Sequence, residues 1–111
     1  MPAPRARRAA SAAIVVLTAL PDDKSARRLG EALVRGKAAA CVTALPGAVS
    51  TYFWKGRLER SRETLLLVKT LRRNYPKVEK MILKNHPYEL PEILRIPADA
   101  TEAYRSWLAN G

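Results

Sequence analysis

Residues 65–68 read Leu-Leu-Leu-Val, inside a run from Leu58 to Leu71 that begins with charges and ends apolar. Successive side chains of a β-strand point to opposite faces, so four apolar residues in a row put two on each face. A sheet with one solvated face alternates apolar and polar residues instead. The preceding run, Cys41 to Trp54, holds no charged residue at all, and Lys55-Gly56 between the two runs suits a tight turn. The pattern predicts a long hairpin: a strand over Cys41–Leu45, a bulge or bend at Pro46-Gly47, the strand resuming over Ser50–Trp54, and a return over Leu58–Leu71. Both faces of that hairpin need cover. A chain of 111 residues is one domain by size and supplies helices for one face. The second face is expected to close against further copies of the same chain.

The rest of the chain is consistent with a small α+β unit. Ala12–Leu20 (AAIVVLTAL) is a continuous apolar, β-branched run, as in a strand buried on both faces. After Pro21, Asp22 or Asp23 caps a helix whose apolar positions are Ala26, Leu29, Leu33 and Val34, with Gly36 as its C′ residue. Asn74 is expected to cap a second helix, with Pro76 in the first turn and Val78, Met81, Ile82 and Asn85 on one face. Pro87 stops that helix at or near His86. Glu92–Pro97 reads as a short strand. Asp99 and Glu102 are spaced as a capping box that opens a short C-terminal helix with Tyr104, Trp107 and Leu108. This order is that of the ferredoxin-like split βαβ fold.

Composition narrows the function classes. Hydrophobic content of 48% with 27% charged residues is that of a globular chain, and no apolar run approaches the ~20 residues of a membrane span. Cys41 is the single cysteine, so neither an internal disulfide nor a multi-thiolate zinc site can form within one copy, and a cytoplasmic setting is expected. Residues 1–10 are expected to be a disordered basic tail (Arg5, Arg7, Arg8), with one domain over 11–111. Basic residues before an apolar run superficially resemble a secretion signal, but no small-residue cleavage pattern separates that run from the first helix. The net charge of +10 raises nucleic-acid binding as a hypothesis. It ranks below a merely solvated basic face, because no RNP motif or helix-turn-helix spacing accompanies the charge and aromatic residues total 6%. Without a nucleophile elbow, P-loop or dinucleotide glycine pattern, no enzyme is expected.

Several phrases taken together, AAACVTALPG (38–47), STYFWKGRLE (50–59), LLLVKT (65–70), HPYELPEI (86–93) and YRSWL (104–108), resemble the CutA family of divalent-cation tolerance proteins. The likeness runs from about Ala13 to Leu108. It implies a ferredoxin-like protomer assembled as a homotrimer through its hairpins, and a role in tolerance of copper or another divalent cation, with no established reaction. It also implies a build similar to the trimeric PII signalling proteins, so a signalling or interaction scaffold is the alternative. Two positions depart from the copper-binding pattern: Thr18 stands where a cysteine is expected, and Asn85 where a second histidine precedes His86. Ala100 and Arg105 also differ from the usual C-terminal motif.

The metal-ligand candidates are His86, the only histidine, and, behind it, Cys41, which sits among Ala38, Ala39, Ala40 and Val42 and reads first as a small core hydrophobe. The resemblance further implies an inter-subunit cleft for metal ions or a small ligand, lined by Tyr52, Trp54, Glu63, Lys69, Tyr88, Glu89 and Glu92. Glu63 and Lys69 could instead pair with each other, and the tyrosine and tryptophan could be ordinary interface residues.

Overall fold

The structure is a computed structural model and describes residues 12–110. The elements are β1 (Ala13–Leu20), α1 (Asp23–Arg35), β2 (Cys41–Trp54), β3 (Arg57–Leu71), a 3-10 turn (Arg72–Asn74), α2 (Tyr75–Asn85), β4 (Leu94–Ala98) and α3 (Glu102–Asn110). The four strands form one antiparallel sheet in the order β2-β3-β1-β4, with α1 and α2 on one face. This is the split βαβ arrangement expected from the sequence. The expected tail over residues 1–10 lies outside the described residues.

Register explains the consecutive leucines. Leu66 and Val68 stand opposite Thr18 and Val16 of β1 and point under the helices, where they pack with Leu29, Leu33, Val78 and Ile82. Leu65 and Leu67 stand opposite Ala19 and Leu17 on the other face, which no long helix covers. Only its far end is closed, where Leu108 of α3 packs on Ala13 and Leu71. Beyond that patch the open face shows Leu45, Leu94 and Ile96 to solvent.

The hairpin runs past the sheet. β1 pairs with β3 only over residues 64–71, so residues 48–63 form a two-stranded ribbon with Val49, Phe53, Trp54 and Leu58 exposed along it. An isolated two-stranded ribbon is marginal in water. Leu45 opposes Leu65 while Ala48 opposes Glu63, so β2 carries one extra residue at Pro46-Gly47, a β-bulge as expected. The bulge decides which side chains of the ribbon join the open face: after it, Ala48, Ser50, Tyr52 and Trp54 do. Lys55 (φ 51°) and Gly56 (φ 77°) both take positive φ, as a type I′ turn requires.

Four local expectations are corrected. Asn74 does not cap α2 through its side chain; its amide donates to the Thr70 hydroxyl, and a 3-10 turn leads into the helix. The left-handed residue after α1 is Lys37 (φ 61°), not Gly36 (φ −79°). The last strand starts at Leu94 and reaches Ala98 rather than spanning 92–97. Thr101, not Asp99, begins α3: its hydroxyl accepts from Tyr104 N–H at 3.2 Å and its carbonyl from Arg105 N–H at 2.9 Å.

Candidate functional site

His86 is the C-cap residue of α2, held in extended backbone by the proline that follows it. Its ring turns into the protein and is 9% exposed. Nδ1 accepts from Tyr88 N–H at 3.1 Å, so the ring proton belongs on Nε2, which donates to the Ala19 carbonyl at 2.8 Å. Burial holds the imidazole below its usual pKa, only partly opposed by the Ala19 bond and the Glu63 charge. The neutral ring therefore has both nitrogens engaged.

Tyr88 stacks obliquely on that ring, centroids 4.9 Å apart, and its hydroxyl donates to Glu63 Oε2 at 2.8 Å. Burial first, then the Glu63 bond and charge, push the phenol well above its ordinary pKa. Glu63 itself is 7% exposed. His86, Tyr88 and Glu63 thus form one connected polar group that ties the α2–β4 loop to the root of the ribbon. A groove of about 460 Å³ opens beside it, bounded by Asp22, Asp23, Pro46, Arg62 and Glu63. Asp22 caps α1 by accepting from Ser25 N–H at 2.7 Å, and that bond holds its carboxyl below the usual range. The Asp23 carboxylate accepts from the Thr64 hydroxyl, fixing the start of α1 to β3.

The other candidates lie apart from this group. Tyr52 exchanges a hydrogen bond with Ser61 at 2.8 Å, two residues from Glu63 along β3. Trp54 is at the ribbon tip opposite Arg57. Lys69 reaches the Thr43 hydroxyl at 2.8 Å and passes 3.9 Å from the Cys41 sulfur. Lys69 and Glu63 are not a pair: six residues of strand separate them by about 20 Å. Glu89 and Glu92 are exposed on the loop before β4. What unites Cys41, Tyr52, Trp54, Glu63 and Lys69 is that register places all five on the open sheet face. Thr43 and Ser61, which anchor Lys69 and Tyr52, were missed from the sequence; opposing residues across the hairpin identify them once the bulge is placed.

These donors do not make a copper site within one protomer. Cys41 stands opposite Lys69 and the His86 ring binds the carbonyl opposite Leu65, so about 13 Å of strand separates thiol from imidazole. Among the described residues no group of three His, Cys, Asp or Glu could hold a metal. Thr18, opposite Leu66, faces the helices, so a ligand at that position would point away from Cys41.

Comparison with known proteins bears on the whole arrangement. The family model for the CutA1 divalent ion tolerance protein matches residues 14–111. The divalent-cation tolerance protein CutA of Yersinia pestis (strain Pestoides F) is 44% identical over 99 residues, 88% of this chain and 83% of that protein. The divalent cation tolerance protein of Thermus thermophilus is 40% identical and superposes with a TM-score of 0.83, over 86% of this chain and 94% of that one. The periplasmic divalent cation tolerance protein CutA of Archaeoglobus fulgidus superposes with a TM-score of 0.85 at 26% identity, over 88% of this chain and 96% of that one. The family match across residues 14–111 and the 44% identity to the Yersinia protein show that the chain belongs to the CutA1 divalent ion tolerance family.

Proposed function

We propose that this chain works as a homotrimer in divalent-cation tolerance, taking up copper or another divalent ion, or a small ligand, at its subunit junctions and catalysing no reaction. One observation carries this reading: the sheet face that α1 and α2 leave uncovered is both apolar and the face shared by Cys41, Tyr52, Trp54, Glu63 and Lys69. Packing it against another copy removes leucine, isoleucine and tryptophan side chains from water at about 25 cal/mol per Å². The same step makes every one of those polar residues a junction residue. Symmetry then multiplies each donor by the number of copies, which supplies the ligands that a single protomer lacks. A cytoplasmic setting suits a chain with one free thiol, although the Archaeoglobus relative is periplasmic. No helix among the described residues is long and apolar enough to cross a membrane.

The engaged state of both His86 nitrogens favours a second reading, in which the trimer is a PII-like signalling or interaction scaffold and the His86–Tyr88–Glu63 group only shapes the junction. Sedimentation velocity combined with copper(II) titration separates the two. Metal uptake at the junction predicts a fixed number of ions per trimer and a loss of affinity in His86→Ala. An unchanged affinity and stoichiometry in that variant refutes the metal role and leaves the scaffold. A monomer at micromolar concentration refutes both.

A further inference from the structure

The helix layer carries most of the chain's charge. Segments 22–37 and 72–85 hold ten Lys and Arg against four Asp and Glu, which is +6 of the total +10. The placement is regular. In α2 the buried residues are Tyr75, Val78 and Ile82, while Lys77, Lys80 and Lys84 recur at i, i+3 and i+7 on the opposite side, and Arg73 sits in the 3-10 turn before them, all exposed. In α1 the buried residues are Ala26, Leu29 and Leu33, and Lys24, Arg28, Glu31 and Arg35 form the same outward stripe. The two helices lie side by side, with Met81 against Gly36 at the end of α1. Seven cations and one carboxylate therefore line this layer, over about 16 Å along α1 and about 10 Å along α2 with Arg73 just before it, the two helices packed some 8–10 Å apart.

We infer that this layer is a docking surface for the phosphate backbone of a nucleic-acid duplex, gripped without base readout. A duplex offers one charge per ~1.7 Å of its axis, enough to meet every cation of a 16 Å stripe at once. The one aromatic side chain of the two helices, Tyr75, is buried beneath them, so no aromatic ring on this surface can stack on a base. An anionic membrane fits less well, because only Val34 and Leu83 are exposed apolar residues on the two helices and the rest of their apolar sides faces the core. Assembly through the apolar sheet face leaves this layer free, since it is the other side of the sheet.

Fluorescence anisotropy of a labelled duplex of about 30 base pairs, titrated with the full chain between about 50 and 200 mM salt, tests the inference. Four or more phosphate contacts predict a log–log salt slope of about −4 or steeper, with two unrelated sequences bound within about threefold of each other. The variant R73Q/K77Q/K80Q/K84Q should bind at least ~10-fold more weakly with the slope flattened by about 3–4, while K77R/K80R/K84R and the tail variant R5Q/R7Q/R8Q bind like the parent. Unchanged binding in the glutamine variant overturns the inference, as does loss of binding in the tail variant instead. Capture by phosphatidylserine vesicles that excess unlabelled duplex fails to compete overturns it too.

Discussion

Thr18 is fully buried, and its hydroxyl is the one side-chain oxygen or nitrogen among the described residues that is buried without a hydrogen-bond partner. Valine has the same shape without that group, so Thr18→Val should raise stability by about 1 kcal/mol, read as a higher denaturant midpoint at unchanged slope. No gain would show that the hydroxyl is satisfied in solution. His86 makes the opposite case, a buried polar group with every valence used. Its folded pKa lies below the 6.5 of the free side chain, mainly through burial. The unfolded chain therefore binds the proton first as pH falls, and stability drops with pH from 6.5 down to the folded pKa. Above 6.5 the contribution is fully present. Denaturation midpoints taken between about pH 7.5 and 5.5 should fall for the parent and lose that part of the slope in His86→Gln. A flat parent profile would mean that the imidazole is not held neutral.

Elements were legible where one strong local signal set them. The charge-free run from Cys41 to Trp54, its bulge at Pro46-Gly47 and the Lys55-Gly56 turn all appear where the sequence places them, because chain direction there is set by proline, glycine and alternation. Helix ends were less legible, since tertiary neighbours choose among several polar candidates. Asn74 is drawn to Thr70, Thr101 takes the cap expected of Asp99, and Lys37 takes the left-handed position expected of Gly36. Gly36 is needed for another reason: a Cβ there would meet the Ala32 carbonyl and Met81 Cε, each at 3.0 Å. Gly36→Ala should thus cost stability despite its ordinary φ, whereas Lys37→Gly should add about 1 kcal/mol by relieving the left-handed residue. Thermal denaturation of both variants checks the pair; a stabilising alanine would show that Met81 moves aside freely. The candidate cleft was legible as a residue set and not as a geometry. One extra residue at the bulge inverts the facing of the ribbon, and nothing in residue spacing tells that Lys69 and Glu63 lie about 20 Å apart.

The whole molecule has two unlike sides. One side of the sheet carries two cationic helices; the other shows Leu45, Leu94 and Ile96, and the ribbon, with no third strand to support it, exposes Trp54 on that side and Phe53 on the opposite one. Extents of 55 × 27 × 23 Å and a radius of gyration of 15.3 Å exceed the ~13 Å of a compact chain of this length, as a projecting ribbon requires. Burial per protomer is therefore incomplete, and the proposed trimer would supply the rest of the folding free energy. A charge placed on each side separates this from general surface sensitivity. Leu67 stands at the centre of the open face between Leu17 and Thr43, so Leu67→Glu puts an unpaired carboxylate into each junction, at a cost of several kcal/mol per copy. Leu83 is 57% exposed on the helix layer, so the carboxylate of Leu83→Glu can stay in water. Analytical ultracentrifugation should find the parent and Leu83→Glu at the same oligomeric mass, and Leu67→Glu dissociated and thermally weakened. Loss of the oligomer in Leu83→Glu, with Leu67→Glu intact, would move the interface to the helices and remove the surface proposed for nucleic acid with it.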